Sequence, residues 1–173
     1  LTQSTRSRLD LREVLYLLGR EGARLVKAQF AFTLLSLPNQ PPIIAHYPEA
    51  RFGEATLMRY LDRVRANGQK IVSREDAVAD HNGLESLLVA PIRVRGEIIA
   101  IIGLMNKPGG FTSPDMKLIN AIADQAGAQV ENVLLYQETL SQAKLQTEMQ
   151  LAQDVQLHLL PSRPPQVYGL NVF

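Results

Sequence analysis

Residues Ser86 to Val94 (SLLVAPIRV) and Glu97 to Met105 (EIIAIIGLM) are two apolar runs separated only by Arg95-Gly96. So short a link forces an antiparallel hairpin, and Gly96 supplies the positive φ that a tight turn needs. In the second run Ile98, Ala100, Ile102 and Leu104 point one way, and Ile99, Ile101, Gly103 and Met105 the other. Both faces are therefore apolar, and a sheet built around such a hairpin needs cover on both sides, by helices or by a ligand pocket. The expected class is α+β, an antiparallel sheet with helices on both faces.

The flanking sequence supplies the other layers. Leu11, Val14, Leu15, Leu18, Leu25 and Val26 recur at helical spacing, which predicts a helix from residue 9 to about 28. Phe30, Phe32 and Leu34 alternate with Ala31, Thr33 and Leu35 in a strand that ends at Pro38-Asn39-Gln40-Pro41-Pro42, and Ile43 to Tyr47 reads as a second strand. Leu57, Leu61 and Val64 mark another helix from Gly53 to Ala66, stopped by Asn67-Gly68. Lys70-Ile71-Val72 is a short strand, and Ser73 to Gly83 a polar loop.

Thr112-Ser113-Pro114-Asp115 opens the last helix, with Ser113 expected as N-cap, Pro114 at the first helical position and Asp115 favouring the positive dipole end. No proline follows until Pro161, so a continuous helix would run for about 70 Å. Ile119, Ile122, Ala126, Val133, Tyr136, Leu140 and Ala143 follow a 3-4 spacing that includes Gln129. The phase then slips to Leu145, Met149, Ala152 and Leu159, with Gln156 in the series. This pattern predicts a parallel homodimeric coiled coil against the alternative of a lone amphipathic helix packed on a further domain.

Composition narrows the function. A formal charge of +1, from 18 Lys plus Arg against 17 Asp plus Glu, gives no support for nucleic-acid binding. The absence of cysteine excludes disulfides, thiolate metal sites, a Cys nucleophile and thioether-linked chromophores, and it points to the cytoplasm. The run Ile98 to Met105 is too short to span a bilayer, so no membrane partner is expected. His46, His81 and His158 are too scattered for a His-based metal site. Glu75, Asp76, Asp80 and His81 share a loop but lack EF-hand spacing, and solvated loop charge is the better account. There is no Gly-x-Ser-x-Gly elbow, and Gly109-Gly110 is not followed by the Lys and Ser or Thr of a phosphate loop. No catalytic residue is assigned.

The element order, the hairpin Ser86-Leu87-Leu88-Val89-Ala90-Pro91-Ile92 with Gly96-Glu97-Ile98-Ile99-Ala100-Ile101, and Asn106-Lys107, Phe111 and Asp115 together resemble the GAF domain family over residues 9 to about 137. Asn106, Lys107, Phe111 and Asp115 are similar to the Asn-Lys-Phe-Asp-Glu signature of cyclic-nucleotide-type members, with Met116 in the final acidic place. The resemblance implies that Lys107 pairs with Asp115, tying the last strand to the final helix, while Phe111 plugs the core. Family members often carry glycine where Ala100 stands, and Gly103 supplies the close approach instead. By the same analogy a small ligand would lie between the sheet and the 53–85 region, with Phe32, Leu34, Tyr47, Phe52, Ile71, Ser73, Asp76, His81, Leu88 and Ala90 as candidates. The alternative is that these residues fill a dry core.

Glu148, Ala152, Val155-Gln156, Leu159-Leu160-Pro161, Pro164-Pro165 and Gly169 resemble the lead-in to bacterial SpoIIE-type, RsbU-like metal-dependent serine phosphatases. The organisation expected is a GAF domain over 1–137, a signalling coiled-coil linker over 138–160, and the start of a truncated phosphatase domain over 161–173. The apolar tail Leu170 to Phe173 fits a piece of a larger protein. The resemblance places the paired Mn²⁺ or Mg²⁺ ions in that missing domain, so no cofactor and no enzymatic activity are expected of this chain. Its expected function is that of a cytoplasmic sensor that binds a small ligand or partner and signals through a homodimeric helix to the phosphatase. The alternatives are a ligand-free dimerisation module and a free-standing small-molecule enzyme, against which the lack of cysteine argues.

Overall fold

The computed structural model describes residues 3–73 and 84–160. In chain order the elements are α1 (Gln3–Val26), β1 (Phe30–Leu35), β2 (Ile43–Tyr47), α2 (Glu54–Asn67), β3 (Ile71–Ser73), β4 (Leu87–Val94), β5 (Glu97–Met105) and α3 (Ser113–Leu159). The five strands form one antiparallel sheet in the order β2-β1-β5-β4-β3. The chain divides into two compact units, Leu1–Leu134 and Leu135–Phe173.

The β4–β5 hairpin turns through Arg95 at φ 53° and Gly96 at φ 82°. Positive φ at both central residues is the geometry whose twist matches that of paired strands. The two apolar faces of the hairpin are both covered. On one side Leu11, Leu15, Ala23 and Val26 of α1, with Ile119, Ala123, Ala126 and Val130 of α3, pack on Ala31, Leu35, Leu88, Ala90, Ile92, Ile102 and Leu104. On the other side Leu57, Tyr60, Leu61 and Val64 of α2 pack on Phe32, Leu34, Leu87, Val89, Ile101 and Met105. Each leucine fully buried in this way contributes about 1.5–3 kcal/mol relative to an exposed one.

Specific bonds hold the helices to the strands. Thr33, buried in β1, donates its hydroxyl to the Leu15 carbonyl of α1 at 3.1 Å. Arg65 of α2 donates to the Ile98 carbonyl at 2.8 Å. Arg95 at the hairpin turn pairs with Glu131 of α3 at 3.5 Å. Gly127 brings α3 against β4, since a Cβ there would stand 2.1 Å from the Arg93 carbonyl oxygen.

Helix boundaries differ from expectation in two places. The first helix begins at Gln3 rather than near residue 9, and it stops at Lys27, whose φ of 61° no helix continues. At the start of α3 the N-cap is Thr112, not Ser113: the Thr112 N–H and hydroxyl both donate to the Asp115 carboxylate, at 2.7 and 2.8 Å. The pattern is Thr-x-x-Asp, in which the carboxylate three residues on satisfies the cap residue's own N–H. The Asn67-Gly68 stop does end α2, with Gly68 at φ 64° donating to the Val64 carbonyl.

Helix α3 continues unbroken for 47 residues. Ile119 and Ala126, members of the 3-4 series expected to pair in a coiled coil, are core residues of the first unit. In the second unit Leu145, Met149 and Leu159 are 58%, 65% and 78% exposed. No helix among the described residues is long and apolar enough to cross a membrane.

Candidate functional site

Directly opposed residues in an antiparallel ladder share a face, and one such row runs across all five strands. His46 stands opposite Phe32, Phe32 opposite Gly103, Gly103 opposite Val89, and Val89 opposite Ile71. Phe32, Val89 and Ile71 of this row lie on the α2 side. Gly103 at its centre leaves room for the Phe32 ring, whose Cζ lies 2.1 Å from where a Cβ on that glycine would be. Phe32 stacks on Tyr60 at 6.2 Å between ring centroids, and Phe52 stands edge-on to both, at 6.0 and 5.6 Å. Edge-to-face and offset pairs of this kind add about 0.5–1.5 kcal/mol each beyond burial. Arg51 covers the neighbouring Phe30 ring at 4.0 Å from its centroid.

The candidate ligand residues are divided by this geometry. Phe32, Leu34, Phe52 and Ile71 lie together on the α2 face. Leu88 and Ala90 lie on the opposite face, under α1 and α3, and Tyr47 packs there as well. That is a correction to the grouping: a single pocket cannot be lined from both faces of one sheet. The reason is the twofold alternation of side chains along a strand, by which Leu87 and Val89, not Leu88 and Ala90, accompany Phe32. The side chain of Ser73, together with Asp76 and His81, lies outside the described residues. Tyr60 and Leu61 complete the α2 face and were absent from the candidate set, although the spacing of Leu57, Leu61 and Val64 already turned that side of the helix inward.

The Asn106-Lys107-Phe111-Asp115 constellation is assembled at the end of β5. Asn106, at φ 55°, donates its N–H to the Ser86 carbonyl at 2.9 Å and accepts from the Glu85 N–H through Oδ1 at 2.8 Å. The Lys107 N–H donates to the Ser86 hydroxyl at 3.1 Å. Lys107 Nζ donates to Asp115 Oδ2, the oxygen that also receives both Thr112 groups. Burial works to raise the Asp115 pKa, but the Lys107 ammonium and the Thr112 N–H and hydroxyl outweigh it and hold the carboxyl below its usual value. Phe111 is half-buried against the α1 and α3 side of the core. These bonds join β5 to the start of α3, so the motif's evident work is architectural.

Two of the open hollows among the described residues lie elsewhere on the first unit. One, of about 460 Å³, is lined by Leu9, Arg12, Glu13, Tyr16, Ala45 and His46. There burial, and then the nearby Arg12, lower the His46 pKa, and its Nδ1 is buried without a hydrogen-bond partner. The other, of about 450 Å³, follows the edge of β4 and includes Lys70, Pro91, Arg93, Asn120 and Asp124. His158 is exposed and its Nδ1 lies 2.9 Å from the Asp154 carbonyl in its own helix. Among the described residues, no group of three or more His, Cys, Asp or Glu side chains is placed to hold a metal ion.

Among the described residues, a five-stranded antiparallel sheet roofed by two helices on one face and one on the other, with its last strand tied to a long exit helix, defines the class of GAF-type α+β domains. A family profile described as "GAF domain" matches residues 2–130, and the chain belongs to that family, one of sensory and regulatory domains. Among solved structures it is similar to the blue-light-absorbing form of the PixJ GAF domain of Thermosynechococcus elongatus, at TM-score 0.59 and 13% identity over 79% of this chain and 94% of that one. It is similar to a methyl-accepting chemotaxis protein fragment at TM-score 0.58 and 19% identity, covering 77% and 97%. A third similarity is to a free methionine-R-sulfoxide reductase of Thermoplasma acidophilum, at TM-score 0.55 and 16% identity, covering 73% and 96%. At these identities the likeness is one of fold. No curated protein matches the chain.

Proposed function

We propose that this chain is the signal-receiving part of a cytoplasmic bacterial protein, in which an event at the GAF domain is passed along a paired α3 to a downstream SpoIIE-type serine/threonine phosphatase. The observation that carries the reading is the unbroken α3 with apolar residues left in water on its second half. Leu145, Met149, Ala152, Gln156 and Leu159 follow a 4-3-4-3 spacing there, and the three large apolar members are more than half exposed. Burying them against the same stripe of a second copy removes apolar surface from water at about 25 cal/mol per Å². The phosphatase assignment rests on the resemblance of the segment from Glu148 to Gly169, of which residues 161–169 lie outside the described residues. Any Mn²⁺ or Mg²⁺ belongs to that downstream domain. Signalling further requires that the ligand or partner favour one helix arrangement over another, since equal affinity shifts nothing.

The Phe32–Phe52–Tyr60 packing favours a second reading, that of a ligand-free module that only pairs its downstream domains. Phe32 is 1% and Tyr60 3% exposed, so a guest between α2 and the sheet must displace well-packed rings. Two measurements decide. Sedimentation equilibrium should give a dimer for the chain and a monomer for Leu145→Glu/Met149→Glu, and a monomeric parent chain removes both readings. Native mass spectrometry against a denatured control should then show a small-molecule adduct for a sensor and a clean dimer for a scaffold.

A further inference from the structure

The α2 face is filled by its own aromatic rings, but among the described residues no strand pairs with the outer edge of β4 beyond Val89. β3 pairs with β4 only from Ser73 opposite Leu87 to Ile71 opposite Val89. Two residues further on stands Pro91, which has no N–H to give a neighbouring strand, and the ladder stops there. A register irregularity follows at Ile92/Arg93. The hollow beside this bare edge measures about 450 Å³, within the range of small-molecule sites.

Its two walls carry opposite charge. On one side Arg93 is anchored by donating through Nη2 to the Gly68 carbonyl at 3.1 Å, which leaves its other N–H groups free to turn toward a guest, and Lys70 stands beside it. On the other side Asn120, Ala123 and Asp124 occupy positions i, i+3 and i+4 of α3 and so share one helix face. The side chains of Lys70, Asn120 and Asp124 make no hydrogen bond or ion pair with another described residue, so the two walls do not neutralise each other. Pro91 and the buried Ala123 give an apolar floor. The spacing is fixed by backbone: one turn beyond Ala123, Gly127 is pressed against the Arg93 carbonyl oxygen, which holds α3 at a set distance from β4. Such preorganisation reduces the ordering cost of binding.

We propose that this groove binds a small dipolar molecule of the free amino-acid type, its carboxylate on Arg93 and Lys70 and its ammonium on Asp124, with Asn120 reading the remaining polar group. A molecule with one charge of each sign is the complement of walls that face each other unpaired. The guest would bridge the sheet edge and α3, and this consequence alone rests on the sensor reading given above.

The test is a ¹⁵N–¹H correlation titration of the whole chain with each proteinogenic L-amino acid in turn. At least one should shift the amides of residues 68–70, 92–93 and 120–124. Its N-acetyl amide derivative, which lacks both charges, should not. Asp124→Asn and Arg93→Gln should each weaken binding by roughly tenfold or more, the loss expected for a charge-assisted hydrogen bond. The Asp124 side chain has no hydrogen-bond or ion-pair partner among the described residues, so Asp124→Asn should leave the thermal midpoint unchanged and keep the result free of a folding effect. The proposal falls if no amino acid moves these amides, if Asp124→Asn binds as well as the parent, or if the shifts map to the Phe32–Tyr60 face. Binding in the groove without any change in the α3 amides beyond residue 134 upholds the site and removes its signalling consequence.

Discussion

A Cβ built on Gly103 would stand 2.1 Å from Phe32 Cζ and 2.2 Å from Cε1, so the ring occupies the space that any side chain at position 103 would need. The ring cannot swing aside, because Phe52 and Tyr60 enclose it. Gly103→Ala should therefore lower stability by about 1–3 kcal/mol, the usual cost of overpacking. Urea unfolding should show a lower midpoint at unchanged slope. Combining it with Phe32→Leu should recover part of the loss, and strict additivity in that cycle would show that the two positions do not compete for space.

Gly127 gives a sharper case because the obstacle is main chain. In an exposed helix Gly→Ala stabilises by about 1 kcal/mol. At position 127 the added methyl meets the Arg93 carbonyl oxygen at 2.1 Å, and α3 must move off the sheet. Gly127→Ala should destabilise by about 3 kcal/mol, near the upper end of overpacking costs. Thermal unfolding reads the sign directly, and a raised midpoint would contradict the close approach.

Asp115 is 8% exposed and takes three donated hydrogen bonds on one oxygen. Its pKa is held below that of the unfolded chain, so the unfolded chain takes up the proton first as the medium is acidified. The stabilisation is complete above about pH 4 and is lost as pH falls through the folded-state value. Asp115→Asn should cost about 1–3 kcal/mol at neutral pH and approach the parent chain in acid. Lys107→Met should also destabilise, by leaving a buried carboxylate without its cation. Urea melts from pH 2 to 7, roughly the range over which a carboxylate titrates, check the slope.

His46 works in the opposite chemical sense. Burial first, and then the Arg12 charge, disfavour its protonated form, and Glu13 also lines the hollow. The folded pKa lies below the unfolded one, so its contribution to stability is complete above about pH 6.5 and declines as pH falls from there toward the folded value. His46→Gln should flatten that part of the stability–pH curve and leave the acid limb due to Asp115 in place. An unchanged slope would mean that the imidazole is solvated in the folded chain.

Much of this was legible in the chain itself. The hairpin, its Arg95-Gly96 turn, the Gly68 helix stop and the long final helix are local features, set by turn chemistry and apolar period over a few residues. Periodicity does not say which of two buried faces a residue joins when both are apolar. In β4, Leu87, Leu88, Val89 and Ala90 are all fully buried, so hydrophobicity carries no parity signal, and Leu88 and Ala90 were grouped with Phe32 although they face away from it. The Thr112 cap was missed for a related reason: Thr112 and Ser113 are chemically equivalent candidates, and only the reach of the Asp115 carboxylate chooses between them.

The amino-acid sequence by itself determined that the sheet must be covered twice and that its last helix runs on past the domain match, because those facts follow from which residues are apolar and where glycine and proline interrupt. Tertiary structure alone decided that Phe32 fills the space over Gly103, that Gly127 meets the Arg93 carbonyl, and that Lys70, Arg93 and Asp124 face one hollow. Those relations join residues far apart in the chain, and the strand register and the helix-to-sheet distance that create them exist only once the layers have packed.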